Sequence, residues 1–203
     1  MKKIILASKS TDRCEIFKHA GIPFEIFVTN IDEDKYKAKF PDVDTLVKEL
    51  AKVKAKFARN KLIRTKKDAI IIAADTLVVL DGEIIGKAQN KQEAFKILKK
   101  MVGKTHELIT GIAVTETRSS KIIVDSDITY VQFLELSNEE IRSYLNNNEW
   151  KGRAGAYSIR DKASLFINKI EGSSSNVIGL PMHKIYEILK KEFKLNLLKF
   201  EGS

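Results

Sequence analysis

What this chain lacks narrows it before anything it contains. Its 203 residues include one cysteine, Cys14. A single thiol excludes an internal disulfide and a cysteine metal cluster, and it suits a reducing cytoplasm. Prolines number only three, and no Pro/Gly-rich linker, repeat or low-complexity tract interrupts the chain, so one domain over residues 1–203 is expected. No apolar run approaches the roughly 20 residues that span a bilayer. The first eight residues hold too short an apolar stretch for a signal peptide, and polar chain follows at once. The expectation is a cytoplasmic protein with no membrane partner.

Familiar catalytic signatures are missing as well. Residues 82–88 carry three residues between their glycines where a phosphate loop has four, and Ala88 stands where a hydroxyl is needed. Gly103-Lys104-Thr105 has the right tail, but Leu98 occupies the place of the first glycine. There is no G-x-G-x-x-G, no H-E-x-x-H and no nucleophile elbow. His19, His106 and His183 are scattered and read as structural or exposed.

What the chain does have is a charge of +9 on a composition 43% apolar and 31% charged, which marks a folded protein. Lysine pairs such as Lys99-Lys100 and Lys190-Lys191 read as solvated helix faces, so no dedicated nucleic-acid surface is expected. The positive balance does favour an anionic small partner such as nucleotide phosphates.

The pattern of elements is mixed. Strands are expected near residues 3–6, 24–28, 69–74, 108–115, 121–136 and 165–170. A helix carries Cys14, Ile16, Phe17 and Ala20 and stops at Gly21. A long helix from Asp44 or Thr45 sets Leu46, Leu50, Val53 and Phe57 on one face. Asp81-Gly82 between apolar runs predicts a hairpin. Asn90-x-x-Glu93 and Ser137-x-x-Glu140 are capping boxes that open two further helices, and a last helix covers about 182–193. Long hairpins among helices predict an α/β protein with a curved mixed sheet, in two lobes, not a regular βαβ array.

The chief chemical signal is Asp75. It leaves the run Ala69-Ile70-Ile71-Ile72-Ala73-Ala74, whose unbroken apolar character predicts a strand covered on both faces. A carboxylate there is costly unless something pairs with it, and strand ends are where open α/β sheets bind ligands. Five other segments accompany it. Ser8-Lys9-Ser10-Thr11-Asp12-Arg13, between strand and helix, suits either a phosphate held on hydroxyls and free N–H groups or an ordinary helix cap. Lys54 borders the apolar face of the long helix, as a ligand for an anion or as a snorkelling side chain. Glu33, within Ile31-Asp32-Glu33-Asp34, suits Mg²⁺ or an exposed acidic loop. Gly86-Lys87 is a turn with a lysine, and residues 152–160 combine small residues with Tyr157 and Arg160.

In order along the chain, Leu6-Ala7-Ser8-x-Ser10-x-x-Arg13, Ile31-Asp32-Glu33, Lys54-Ala55, Ala73-Ala74-Asp75-Thr76, Gly86-Lys87, Thr110-Gly111, Ala154-Gly155-Ala156-Tyr157 and Gly179-Leu180-Pro181 resemble the Maf family of house-cleaning nucleoside triphosphate pyrophosphatases, also known as septum-formation proteins. The resemblance covers about residues 3–190. It implies the two-lobed fold of inosine triphosphate pyrophosphatases (the Maf/Ham1 type), with the nucleotide in the cleft between lobes. It implies water attack on the α-phosphorus, Asp75 as proton acceptor or metal holder, and Mg²⁺ or Mn²⁺ on Glu33 and Asp75. Ser8, Ser10, Arg13, Lys54 and Lys87 would then bind the substrate, and a homodimer is a further implication. Thr76 and Tyr157 match the dTTP/UTP branch. Two positions depart from the pattern: Asp12 stands where the family usually has Arg, and Arg160 where that branch has Gln. Either the two form a swapped pair and a pyrimidine is kept, or Asp12 accepts from the N–H edge of guanine. The competing function is a nucleotide- or nucleic-acid-binding regulator of cell division without turnover.

Overall fold

A computed structural model describes residues 2–200 apart from 38 and 66. The described residues form one seven-stranded mixed sheet with helices against it. The strands are β1 (Lys3–Leu6), β2 (Glu25–Ile26), β3 (Ala69–Leu80), β4 (Glu83–Ile85), β5 (Thr105–Glu116), β6 (Ile122–Phe133) and β7 (Ile167–Glu171). The helices are α1 (Thr11–His19), α2 (Asp34–Lys37), α3 (Val43–Leu62), α4 (Lys91–Met101), α5 (Asn138–Leu145), α6 (Ser174–Val177) and α7 (Met182–Glu192). The hydrogen-bonded order is β2-β1-β3-β5-β6-β7, with β4 paired to β3. Among the described residues, no helix is long and apolar enough to cross a membrane.

The chain divides into two compact units, the first comprising residues 1–75, 110–127 and 179–203 and the second 76–109 and 128–178. In the first, β1 pairs in parallel with both β2 and β3, Leu6 lying opposite Ile72. Parallel strands need cover on both faces, and Ile5, Ile71 and Ala73 pack with Ala51, Ala55 and Ala58 of α3. Small alanines along α3 let its backbone come close to the sheet. Gly111 of β5 completes that approach: a Cβ there would lie 2.2 Å from the Val47 carbonyl oxygen and 2.5 Å from the Lys48 nitrogen.

The second unit has its own core around Val78, Leu98, Met101, Phe133, Ile141, Trp150 and Tyr157. The Asp81-Gly82 turn has positive φ at both residues, 52° and 81°, and joins β3 to β4 with Leu80 opposite Glu83. This is the type I′ geometry that the dipeptide predicts. One capping box forms in full: Ser137 and Glu140 cap each other reciprocally. At Asn90 only half of the box is made: Glu93 N–H donates to Asn90 Oδ1 at 2.9 Å, while the Glu93 carboxylate accepts from Gln89 N–H, one residue before the cap.

Three expectations need correction. The strand bearing Asp75 does not end there: β3 runs unbroken for 12 residues, because Leu77 to Leu80 continue the extended apolar pattern into the hairpin. The buried face of α3 comprises Leu46, Val47, Leu50, Ala51, Lys54, Ala55, Ala58 and Leu62, while Val53 and Phe57 are only half-buried. Close packing selects the small side chains, and Lys54 falls within the buried stripe, not beside it. Leu165 precedes β7 in a 3₁₀ turn and is 79% exposed.

Candidate active site

The site begins where β1 and β3 part. Ala7 N–H donates to Ile72 O at 2.7 Å, the last main-chain link of the parallel pair, and β3 continues through Ala74 to Asp75. Asp75 therefore lies just past the C-terminal end of its parallel partner, the edge at which such sheets bind ligands. It is only 6% exposed. A carboxylate so placed needs a partner, and α3 supplies one. Lys54, 8% exposed, brings its ammonium 2.5 Å from Asp75 Oδ1 and 2.7 Å from Glu33 Oε1. Glu33 stands at the entry to α2 and remains substantially exposed.

On the other side of the loop after β1, Ser8 Oγ accepts from Ser10 N–H at 3.2 Å, and Ser10 Oγ caps α1 by accepting from Arg13 N–H at 3.4 Å. Arg13 folds back beneath this loop. Its Nε donates to Gly179 O at 2.7 Å, and its Nη1 donates to Ala74 O at 2.9 Å and to Ser8 Oγ at 3.2 Å. Burial lowers the guanidinium pKa, and the carboxylates of Asp75, Glu33 and Asp12 oppose that. An arginine stays charged through such a shift.

One ammonium between two carboxylates, with a buried guanidinium supporting the main chain beside one of them, can hold a phosphate chain and orient an acid. Glu33 and Asp75 also fit a divalent cation. Both turn hard oxygen donors on one cationic point, and Mg²⁺ takes one or two carboxylates while keeping waters and substrate phosphates as its other ligands. Among the described residues no group of three or more His, Cys, Asp or Glu is placed to hold an ion by itself.

The structure thus brings Ser8, Ser10, Arg13, Glu33, Lys54 and Asp75 into one unit through these bonds. Asp12 lies there too, half-buried in the first turn of α1. Thr76, Lys87 and Arg160 belong to the second unit. Thr76 is half-buried; Lys87 is exposed and forms an antiparallel bridge to Ala154; Arg160 is exposed. In that unit Tyr157 is buried, its hydroxyl 2.9 Å from His106 Nε2. Three participants escaped the sequence reading as physics: the Ala74 and Gly179 carbonyls that receive Arg13, and Gly111, which seats the helix bearing Lys54. Thr110-Gly111 and Gly179-Leu180-Pro181 stood out only as matching stretches. Their roles depend on contacts across long sequence separations, which no local pattern records.

Comparison with known proteins adds to this geometry. Residues 3–192 match the family described as "Maf-like protein". A dTTP/UTP pyrophosphatase of Alkaliphilus oremlandii is 44% identical over 199 residues, 98% of this chain and 100% of that protein. One from Alkaliphilus metalliredigens is 42% identical over 198 residues, 98% and 100% of the two chains. One from Caldicellulosiruptor saccharolyticus is 40% identical over 191 residues, 94% and 95%.

Proposed function

This chain belongs to the Maf-like protein family, and we propose that it hydrolyses a nucleoside triphosphate, dTTP or UTP foremost, to the monophosphate and pyrophosphate. The observation that carries this reading is the convergence of Asp75 and Glu33 on the Lys54 ammonium at the C-terminal edge of a parallel strand pair. Burying an ion pair gains little stability over apolar packing, so its place within an otherwise apolar stripe of α3 points to chemistry. The near-full-length relatives named dTTP/UTP pyrophosphatase support the same conclusion.

The reaction asks for positioning and charge stabilisation more than for covalent chemistry. Water attacks the α-phosphorus, a new P–O bond forms, and the bond to the β-phosphate oxygen breaks with its electron pair leaving on pyrophosphate. Asp75 accepts the proton from that water. Lys54 orients Asp75 through their 2.5 Å contact and offsets charge on the phosphates. Ser8 and Ser10 offer hydroxyls, and the first turn of α1 offers main-chain N–H groups to phosphate oxygens. Glu33 and Asp75 would hold Mg²⁺ or Mn²⁺, which when bound offsets phosphate charge and lowers the pKa of its water. For Lys87 as a further counter-charge, and for Asp12, Thr76 and Arg160 in choosing the base, the support is the family resemblance alone.

The deciding experiment measures pyrophosphate release from a panel of nucleoside triphosphates with and without Mg²⁺. Metal-dependent release, fastest with dTTP and UTP, is expected. A folded protein that binds RNA in a salt-sensitive way and releases no pyrophosphate would put a regulator in place of the enzyme.

A further inference from the structure

Arg13 has the charge expected of a phosphate clamp, yet three of its bonds run to the chain itself. Nε meets the carbonyl of Gly179 and Nη1 meets the carbonyl of Ala74 and the hydroxyl of Ser8. These acceptors sit on three separate segments: the loop leaving β1, the stretch of β3 immediately before Asp75, and the turn that enters α7. Gly179 has φ of 100°, a conformation that side-chain-bearing residues rarely adopt, so its carbonyl direction belongs to a specifically shaped turn. Arginine suits such a junction because its planar fork presents several donors in fixed directions. A lysine supplies the same charge from a single point.

We infer that Arg13 is a positioning residue: it fixes the main chain at Ala74, and through it the aim of the Asp75 carboxylate, in place of gripping the triphosphate. Lys54 fixes the same carboxylate from the side-chain end, so Asp75 is held from two directions by two cations with different tasks. Misplacing a reacting group by about 1 Å costs on the order of 100-fold in rate, which is the scale of the effect expected when the main-chain hold is lost.

The inference rests on the pyrophosphatase reading, and its test separates the two. Arg13→Lys keeps the charge and Arg13→Gln removes it. Positioning predicts that both lose about 100-fold in kcat while the affinity for a nonhydrolysable α,β-methylene nucleotide, measured by calorimetry, stays as in the wild type. Hydrogen exchange at the Asp75 and Thr76 amides then quickens in both. A phosphate ligand predicts the opposite division. Arg13→Gln would lose tenfold or more in nucleotide affinity, the scale of one charge-assisted hydrogen bond, Arg13→Lys would retain most of it, and exchange at Asp75 would not change. That result overturns the inference. The exchange readout needs no turnover, so a wild type inactive on every triphosphate would defeat the pyrophosphatase reading and leave the main-chain role of Arg13 still measurable. Should neither variant fold, the wild type decides: the Arg13 Nε–H signal resists solvent exchange without nucleotide if the guanidinium is tied to Gly179, and exchanges freely until nucleotide is added if it is not.

Discussion

Lys54 and Asp75 form a buried ion pair at 2.5 Å, and the same ammonium also meets Glu33 at 2.7 Å. The pair is lopsided. The cation has two anionic partners, whereas among the described residues the side chain of Asp75 bonds to the one lysine. Removing each member should therefore have unequal consequences for the fold and equal ones for catalysis.

Lys54→Met leaves two carboxylates without the ammonium between them, one of them buried. Breaking a buried pair in this way costs roughly 3 kcal/mol. Asp75→Asn leaves Lys54 paired with Glu33 and should cost about 1 kcal/mol, the scale of one hydrogen bond. Both variants should lose pyrophosphate release. Urea unfolding checks the first contrast and a turnover assay the second. Equal destabilisation would show that Glu33 does not support the ammonium, and wild-type-like release from folded Asp75→Asn would remove this acid from the reaction.

Gly111 is the next point of leverage. A methyl group there would meet the Val47 carbonyl oxygen at 2.2 Å and the Lys48 nitrogen at 2.5 Å, main-chain atoms of α3 that cannot rotate aside. Gly111→Ala must push α3 off β5 or strain both. Overpacking of this kind costs about 1–3 kcal/mol, and more against backbone. Since Lys54 stands two turns further along α3, the displacement should reach the site. The expectation is a lower Tm together with a fall in kcat, measured on the same preparation. A stable variant with full activity would mean that the helix has slack.

Much of this was legible in the sequence because it is local. The Asp81-Gly82 turn, the helix caps at Asn90 and Ser137 and the unbroken apolar run of β3 depend on neighbours a few residues away. Asp75, Lys54 and Glu33 stood out because charge at the edge of an apolar pattern is expensive. The extent of β3 was not legible: Asp75 resembles a strand terminus until Lys54 neutralises it, after which the strand runs on to Leu80. The face of α3 was misjudged for a related reason. Helical periodicity favours the larger Val53 and Phe57, but the close approach at Gly111 selects Ala51, Ala55 and Ala58. Arg13 could be read as a charge near a loop, while its acceptors at Ala74 and Gly179 lie 61 and 166 residues away.

His106 carries a pH dependence in the second unit. It is 1% exposed, packed edge-on against Phe133 and Tyr157, and burial lowers its pKa from 6.5 to about 4. Its Nε2 meets the Tyr157 hydroxyl. Between those two values the unfolded chain binds a proton that the folded protein refuses. The contribution of His106 to stability is therefore complete above pH 6.5 and is lost as the pH falls towards 4, a change of roughly 3 kcal/mol. His106→Gln removes the titration. The difference in unfolding free energy between wild type and variant, followed from pH 7 to pH 4, should narrow steadily. A constant difference would mean that His106 titrates normally in the folded protein.

Base preference should respond to Asp12 and Arg160. Asp12 occupies the first turn of α1, directly before Arg13, where its charge also acts on the buried guanidinium. Arg160 is exposed in the second unit, two residues beyond the buried Ser158. Where the family usually has Arg and, in its dTTP/UTP branch, Gln, this chain carries acid and base instead. If the two changes compensate each other, each single reversal should harm and the pair should restore. Asp12→Arg alone adds a second cation beside Arg13, Arg160→Gln alone removes a positive charge, and both should lower kcat/KM for dTTP and UTP. The double variant should raise it selectively for these two over dGTP. Because a true couple is non-additive, the readout is the double-mutant cycle on kcat/KM for each nucleotide. Additive effects with an unchanged base profile would show that neither residue reads the base, whereas preferential loss of dGTP turnover in Asp12→Arg would mean that the carboxylate serves guanine.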